Sequence, residues 1–295
     1  MSDKTVNIIE IGPRDGFQNV AQWIATDTKL EIIELIIAAG IKRIQLTSFV
    51  SEKAIAQMRD SSLLCEALLP KHKNVEFFAL VPNLKGAELA ANCGLGEFSY
   101  VLSASQTHNM ANTRRSIEQS LDELCKIRKD WPEIKLNLDI AMVFGCAFEG
   151  IVPYVNVEKI VDKAVDIGVN SINLCDTAGL ATPNQVTEVL SRLIERYPQT
   201  TYHIHIHDTR NMGMLNSYTA LMCGVRNIQT TLGGLGGCPF VPGASGNTAT
   251  EDFVFMLEKM GWNTGVDFEN LMVAAHFLKK KVPGNYSGHQ INISS

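Results

Sequence analysis

Eight short stretches rich in apolar and β-branched residues alternate with amphipathic helical segments, and this alternation constrains the fold more than any other feature of the chain. It predicts eight strands, with a helix after each of the first seven. The predicted strands cover residues 6–11, 43–49, 76–81, 97–103, 135–143, 171–174, 202–207 and 227–232. The predicted helices cover residues 29–39, 53–68, 84–92, 115–129, 157–167, 184–196 and 212–223.

A glycine followed by an apolar residue precedes every second predicted strand. Gly40, Gly94, Gly168 and Gly224 stand where a helix would end before strands two, four, six and eight. Glycine is favoured there because a helix often ends in a left-handed backbone conformation. Eight repeated units of this kind predict a closed parallel barrel, the (β/α)8 TIM barrel. An open doubly wound sheet is the alternative, but no Gly-x-Gly-x-x-Gly turn follows the first strand.

The length and composition fit one barrel domain. We expect it to span residues 1–295, with residues 263–295 as a C-terminal extension that includes a helix over residues 268–280. The net charge of −5 and the lack of a basic stripe argue against nucleic-acid and anionic-membrane partners. No segment reads as a signal peptide or a membrane span, and the seven cysteines form no Cys-x-x-Cys pair. We therefore expect a cytoplasmic protein that self-associates, as a dimer, through its helical tail.

Three histidines alternate with isoleucines in the seventh predicted strand. Because successive side chains of a strand point to opposite faces, His203, His205 and His207 share one face. Two such histidines can bind one metal ion if oxygen ligands arrive from elsewhere, or they can be ordinary interior residues. The strand ends in polar residues, so we expect a site at His205 and His207, with His203 filling the interior.

Polar residues cluster at the carboxyl ends of the predicted strands, where barrel enzymes carry their chemistry. Asp15, after the first strand, and Asn247, after the eighth, are the candidate oxygen ligands for the histidine pair, although Asp15 could also be a plain turn residue. This ligand set suits Mg²⁺ or Mn²⁺, with Zn²⁺ as an alternative. A capping-box pattern from Thr248 to Glu251 predicts a helix start that fixes the turn carrying Asn247.

Three further residues at this end each have two interpretations. Arg14 offers a fork of donors to a carboxylate or an enolate, or forms a surface ion pair. Asp176 holds a ligand or makes a local turn bond. Cys238 lies in a glycine-rich loop where a thiol could reach a substrate and transfer a proton, while the glycines of the same loop could instead cradle a phosphate.

Several motifs occur in a specific order between about residues 6 and 265. They are Glu10-Ile-Gly-Pro-Arg-Asp-Gly-Phe-Gln18-Asn19, Thr47-Ser-Phe-Val-Ser51, Pro82-Asn-Leu-Lys-Gly86, His205-Ile-His207-Asp-Thr209, Gly233-Gly-Leu-Gly-Gly-Cys238-Pro, Gly243-Ala-Ser-Gly-Asn247 and Ala249-Thr-Glu-Asp252. Together they resemble the 3-hydroxy-3-methylglutaryl-CoA lyase family. The resemblance implies a (β/α)8 barrel that cleaves an acyl-CoA substrate, with acetyl-CoA and acetoacetate as products.

The resemblance also implies roles for individual residues. The divalent cation would be bound by four of them: Asp15, His205, His207 and Asn247. The expected substrate contacts are Arg14, Gln18, Gln45 and Asp176. A retro-Claisen cleavage removes a proton from a tertiary hydroxyl group and holds an enolate until it is protonated. We expect Asp15 or His205 to accept the first proton, Cys238 to donate the second, and Arg14 to stabilise the enolate.

The chain departs from the family pattern near the substrate. Gln45 and Gln106 stand where the family usually has Glu, and the lysine usually found shortly after Asn19 is missing. A neutral amide can accept a hydrogen bond but cannot be a base or a counter-ion. One hypothesis is therefore a lyase acting on 3-hydroxy-3-methylglutaryl-CoA or a relative such as a citramalyl thioester. The second is a metal-binding barrel that has lost cleavage and serves in binding or regulation, and the third is a related synthase or aldolase.

Overall fold

Eight strands form in the computed structural model, which describes residues 4–237 and 246–293. They are β1 (Asn7–Glu10), β2 (Arg43–Ser48), β3 (Glu76–Val81), β4 (Glu97–Ser103), β5 (Lys135–Ala141), β6 (Ser171–Asp176), β7 (Tyr202–Ile206) and β8 (Asn227–Thr230). Every neighbouring pair is parallel, and β8 pairs with β1, so the sheet closes on itself. The predicted (β/α)8 barrel is confirmed, and the open doubly wound sheet is not formed.

Helices surround the barrel, and at least one follows every strand in the described part of the chain. They are α1 (Thr26–Ala38), α2 (Ser61–Leu68), α3 (Leu84–Asn92), α4 (Gln106–Thr113), α5 (Ile117–Asp130), α6 (Tyr154–Ile167), α7 (Pro183–Arg196), α8 (Gly213–Met222), α9 (Thr250–Lys259) and α10 (Phe268–Lys281). A π-helical turn over Gly12–Gly16 separates β1 from α1. No helix of the described residues is long and apolar enough to span a membrane.

One helix was predicted with the wrong start and another was missed, and both errors have physical causes. α2 begins at Ser61 rather than at residue 53. The preceding residues bind other segments instead: the side chain of Gln57 donates to the carbonyl groups of Val20 and Gln22. α4 was not predicted, because it buries His108 and Asn109 rather than an apolar stripe. Helix periodicity reports only apolar faces, so a helix with a polar buried face escapes it.

The four glycines before alternate strands have the predicted left-handed backbone. Their φ angles are 92° at Gly40, 82° at Gly94, 80° at Gly168 and 103° at Gly224. Each stands where a helix ends and the chain turns back toward the barrel. The glycine repeat was therefore a correct signal of the β/α units.

The two faces of each strand differ in chemistry. Ile204 and Ile206 of β7 are fully buried in the apolar core between the barrel and its helices. The barrel interior is largely polar, apart from a small apolar cluster of Ile9, Ile11 and Phe78. These polar side chains bond to one another across the barrel, as buried polar groups must.

A hydrogen-bonded layer closes the amino-terminal end of the barrel. Arg43 donates to Glu97, and Asn137 Nδ2 donates to the same carboxylate at 2.5 Å. Ser171 in turn donates to Asn137 Oδ1 at 2.7 Å. His203 is buried near Arg43, and burial lowers its pKa to about 3. His203 is thus a neutral filling residue, as predicted.

The capping-box prediction at Thr248 to Glu251 was wrong. The residue before α9 is Ala249, and no side chain caps this helix. The side chains instead bind more distant groups: Thr250 donates to Glu10 Oε2 at 2.7 Å, and Glu251 accepts from the backbone amide of Gly233 at 2.8 Å. The same residues therefore connect α9 to β1 and to the turn after β8.

Buried carboxylates anchor the turn that follows β8. Glu10 Oε1 accepts from the amides of Gly12 at 2.7 Å and Leu232 at 3.0 Å. Glu251 binds the next amide of that turn, and both carboxylates are fully buried. Burial raises the pKa of Glu10 to about 7 and the pKa of Glu251 to about 8.

The C-terminal segment packs onto the barrel. α10 lies against α1 and α9. The segment after it reaches the glycine-rich region: Ser287 Oγ donates to the carbonyl groups of Gly234 and Asn247, at 3.2 Å each. The amide of Gly288 donates to Gly233 at 3.0 Å. This extension therefore binds Gly233, Gly234 and Asn247, which lie on either side of residues 238–245.

Substituting Glu251 should change the pH dependence of stability. Between its ordinary pKa of 4.5 and the folded value of about 8, the folded protein holds a proton that the unfolded chain has released. Rising pH across this window must then lower the free energy of unfolding. We expect E251Q, whose amide oxygen can still accept from Gly233, to lose less stability than the wild type between about pH 5 and about pH 8.5 in denaturant titrations.

The control for this comparison is E133Q, at an exposed glutamate in the turn before β5. It should retain the wild-type pH dependence of the free energy of unfolding. Equal pH dependence in E251Q and the wild type would contradict the assignment of Glu251 as a buried group that takes up a proton on folding.

Candidate metal centre and active site

One histidine of β7, His205, and the histidine directly after the strand, His207, lie at the carboxyl mouth of the barrel. His205 and His207 are each 5% exposed, and their ring centroids are 5.0 Å apart. Strand alternation places both side chains inside the barrel. They form the centre of the candidate site, two residues beyond the filling residue His203.

Asp15 reaches this centre from the π-helical turn after β1. Its Oδ2 lies 3.9 Å from Nε2 of His207 and 4.0 Å from Nε2 of His205. Two ligand atoms that each lie about 2.1 Å from one ion are separated by about 3 to 4 Å. The three residues therefore form a cluster with the spacing of a metal site.

Asn247 completes the predicted ligand set. A backbone bridge pairs it with His207, and its Oδ1 lies 2.7 Å from Nε2 of His205. Its Nδ2 donates to Asp15 Oδ2 at 2.7 Å. All four predicted ligands thus meet at one point, although Asp15 and Asn247 are far apart in the sequence.

Glycine is required at position 236 for this approach. A Cβ atom there would lie 2.4 Å from Nδ2 of Asn247 and 3.4 Å from Oδ2 of Asp15. The φ angle of Gly236 is also in the left-handed region, at 151°. The last glycines before residue 238 therefore let the chain pass close to the candidate metal ligands.

The charge state of the cluster suits a cation. Burial lowers the pKa of His205 to about 4 and also lowers the pKa of His207, so both imidazoles are neutral near pH 7. Burial by itself would raise the pKa of Asp15, but Arg14, the two histidines and the Asn247 amide lower it. Nδ1 of His207 is buried and has no hydrogen-bond partner among the described residues. One carboxylate and two neutral imidazoles are a donor set that a divalent ion fits.

Arg14 is held rigidly beside the carboxylate. Its Nε donates to Gln45 Oε1, and its Nη1 donates to Asp15 Oδ1, each at 2.5 Å. Arg14 is 7% exposed, so it is not the surface ion pair that was the alternative interpretation. Gln45 keeps the acceptor that a carboxylate would offer, while its buried Nε2 has no partner among the described residues.

The other predicted site residues take different positions. Gln18 donates to Asp15 Oδ1 at 3.0 Å and lines the cavity. Asp176 accepts from the amides of Leu180 at 2.8 Å and Ala181 at 3.0 Å, which is the local turn bond weighed above. Its carboxylate therefore shapes the loop after β6. Cys238 lies outside the described residues, so its role stays a prediction.

A cavity of about 610 Å³ opens at the candidate metal site. Arg14, Asp15, His205 and His207 lie in its wall. Hydroxyl and amide side chains extend the polar lining, and α4 and the loops after β2 and β3 form the outer rim. The remaining polar lining residues are Asn19, Ser48, Ser51, Asn83, His108, Asn112, Thr113, Arg115, Asp139, Cys175 and Thr177.

Sequence reasoning missed several of these residues, including Asp139 and Cys175. Both lie inside strands that were identified by their apolar residues. A signal was available for Asp139, because Asn137 and Asp139 alternate with Leu136, Leu138 and Ile140 just as the histidines alternate with isoleucines.

Comparisons with known proteins agree with this geometry. The HMGL-like family model matches residues 5–278. A hydroxymethylglutaryl-CoA lyase of Bacillus subtilis is 40% identical over 281 residues, which are 95% of this chain and 94% of that protein. An (R)-citramalyl-CoA lyase of Chloroflexus aurantiacus is 38% identical over 288 residues, with 93% of this chain and 90% of that protein covered.

Solved structures are similar over the same extent. The crystal structure of the Bacillus subtilis HMG-CoA lyase superposes with a TM-score of 0.94 at 38% identity, covering 98% of this chain and 97% of that one. An HMG-CoA lyase of Acinetobacter baumannii, in complex with coenzyme A and 3-methylmalate, superposes with a TM-score of 0.93 at 35% identity, covering 100% and 99%. Because sequence, fold and site agree over nearly the whole length, the chain belongs to the HMGL-like family of carbon–carbon lyases.

Proposed function

We propose that this protein is a divalent-metal-dependent lyase that cleaves 3-hydroxy-3-methylglutaryl-CoA to acetyl-CoA and acetoacetate. The observation that carries this proposal is the convergence of Asp15, His205, His207 and Asn247 at the barrel mouth, with Arg14 beside them. The hydroxymethylglutaryl-CoA lyases among the relatives, and the coenzyme A bound by the Acinetobacter structure, support the same substrate class.

The cation would be held by Asp15, His205, His207 and Asn247. A mixed set of nitrogen and oxygen donors with open positions suits Mg²⁺ or Mn²⁺, and Zn²⁺ is the alternative. When bound, the ion lowers the pKa of the substrate's tertiary hydroxyl group and orients the acyl group. Gln18 holds Asp15 in place by donating to the oxygen that faces away from the histidines.

Arg14 stabilises the enolate that forms when the carbon–carbon bond breaks. Two of its nitrogens are engaged by Asp15 and Gln45, so the guanidinium group is fixed before substrate arrives. Its remaining N–H groups are the donors left for the enolate oxygen. A fixed donor of this kind contributes about 10² to 10³ in rate. Cys238 is the proposed donor to the enolate carbon, because a thiol can deliver a proton there.

A related acyl group is the second candidate substrate. The citramalyl-CoA lyase among the relatives and the 3-methylmalate in the Acinetobacter structure both favour a shorter, branched hydroxy acid. A thioester of that type would place its hydroxyl group and carboxylate on the same metal centre. The predicted cytoplasmic location, the predicted homodimer and the absence of nucleic-acid and membrane partners stay predictions.

Cleavage of a thioester panel tests this proposal. Purified protein should release acetyl-CoA from 3-hydroxy-3-methylglutaryl-CoA when Mg²⁺ or Mn²⁺ is present, and a chelator should abolish the release. Citramalyl-CoA and longer 3-hydroxy-3-alkyl thioesters, assayed in parallel, identify the acyl group. Failure to cleave any of them with either metal would exclude the lyase and favour a binding or regulatory role.

Metal binding can be tested without turnover. H207A should weaken Mn²⁺ binding by more than about 100-fold, because loss of even a group that only orients a ligand costs 10- to 100-fold. H203N is the matched control on the same face of the same strand, and it should bind Mn²⁺ like the wild type. Calorimetry on the metal alone measures both, and equal affinity in H207A and H203N would contradict the ligand assignment.

Restoring the glutamate at position 45 distinguishes a specialised enzyme from a degraded one. Gln45 already accepts the hydrogen bond from Arg14 Nε, so we expect Q45E to leave kcat/KM within about tenfold of the wild type, a difference of about 1.4 kcal/mol in transition-state stabilisation. A several-hundredfold increase in kcat/KM in Q45E would show instead that the amide at position 45 is the reason for low activity in the wild type.

A further inference from the structure

Asp139 is a buried carboxylate in the cavity wall that the mechanism above does not use. It extends from β5 into the barrel, is 4% exposed, and lines the same cavity as Asp15, His205 and His207. None of the ion pairs among the described residues includes it. A buried carboxylate without a paired cation is costly, so such groups are usually retained for function.

Two neutral donors fix the orientation of this carboxylate. Ser99 Oγ donates to Oδ2, and Asn173 Nδ2 donates to Oδ1 at 3.0 Å. Asn173 also donates to Gln229 Oε1 at 3.0 Å, which ties the group to β8 across the barrel. A carboxylate has about four acceptor positions, so these two bonds leave lone pairs free for a ligand.

The acceptors nearest the proposed metal site already have partners. Asp15 binds Arg14 and Gln18 through one oxygen and Asn247 through the other. The proposed metal site uses the imidazole nitrogens of His205 and His207. Among the buried carboxylates that line the cavity in the described part of the chain, the one that remains is Asp139.

We propose that Asp139 is a catalytic residue of this lyase, whose carboxylate accepts the proton of the substrate's 3-hydroxyl group as the carbon–carbon bond breaks. This inference rests on the proposed function and identifies the proton acceptor that the sequence left open between Asp15 and His205. Ser99 and Asn173 are positioning residues, because they act through the carboxylate.

The step balances as a proton transfer coupled to bond cleavage. The hydroxyl proton goes to a carboxylate oxygen of Asp139, and the O–H electron pair forms the new ketone C=O bond. The bond between C2 and C3 breaks, and its electron pair goes into the enolate of acetyl-CoA. A separate donor protonates C2, and Asp139 releases its proton to water when the products leave. No oxidant or co-reactant is needed.

The electrostatic surroundings support this role. Burial raises the pKa of Asp139, Arg14 and the two hydrogen bonds lower it, and Asp15 raises it. The titratable and charged groups that face it are Arg14, Asp15 and Cys175, and burial keeps the Cys175 thiol protonated by raising its pKa well above the usual value. A base is more effective when its pKa lies closer to the working pH than that of an ordinary aspartate.

The decisive experiment separates hydroxyl deprotonation from protonation of carbon. In the presence of Mn²⁺, D139N should lower kcat for thioester cleavage by about 10² to 10⁴-fold, the usual contribution of a general base. Exchange of the methyl hydrogens of acetyl-CoA with D₂O needs no hydroxyl group, so its rate in D139N should stay within about threefold of the wild type. A merely structural role would lower both rates together.

E97Q is the matched control. It makes the same carboxylate-to-amide change at a buried glutamate of the barrel interior, but Glu97 lies in the amino-terminal layer and does not line the cavity. Its cleavage and exchange rates should match the wild type. Melting temperature and Mn²⁺ affinity, measured for each variant, confirm that the proteins compared are folded and bind metal.

A second variant keeps the proposal testable if D139N does not fold. Removing the Ser99 hydroxyl deprives the carboxylate of a donor, so S99A should raise the pKa of Asp139 and move the acid limb of the kcat–pH profile to higher pH. If the wild type cleaves the thioester and D139N does so with the same kcat, Asp139 is not the proton acceptor. An acid limb that does not move in S99A would also contradict the role of Asp139. Either result would leave the proposed function intact. If the wild type cleaves no thioester, both the proposed function and the role of Asp139 are wrong.

Discussion

The site depends on one buried carboxylate, that of Asp15. A carboxylate taken out of water is stable only if donors or cations surround it. Here the guanidinium of Arg14 and the amides of Gln18 and Asn247 do so, and two imidazoles lie within 4.0 Å. These groups come from the ends of β1, β7 and β8, so the barrel must close correctly before Asp15 can be ionised in this position. Correct closure of the barrel and the ionisation of Asp15 therefore depend on each other.

The barrel interior consists mainly of stacked layers of polar side chains and not of an apolar core. Arg43 and Glu97 belong to the layer at the amino end, Asp139 to the middle layer and His205 to the layer at the carboxyl mouth. Each layer satisfies most of its donors and acceptors internally, while the isoleucine-rich outer faces of the strands bury the apolar area. Such networks cost desolvation free energy, and full pairing is what makes them tolerable. Changing a member of any layer therefore affects stability, and changing a member that lines the cavity also affects chemistry.

The C-terminal extension contributes to the site although it lies outside the β/α repeat. Ser287 donates to the carbonyl groups of Gly234 and Asn247, which lie on either side of residues 238–245. Glu10 and Glu251 bind the amides of the turn before it. Glycine loses more conformational freedom on folding than other residues, so these bonds help to hold Gly233, Gly234 and Asn247 in place at the candidate metal centre.

The sequence alone determined what local periodicity can report. Alternation placed His205 and His207 on one interior face, and the four helix-ending glycines marked the repeat, because both follow from the geometry of a few consecutive residues. Only the tertiary structure decided which distant groups meet. Asp15 and Asn247 are 232 residues apart, and the side chain of Glu251, expected to cap its own helix, binds a different turn instead. Closure of the barrel brings these residues into contact. Residues that meet across a closed sheet have no fixed spacing along the chain, so no periodic pattern in the sequence predicts their contacts.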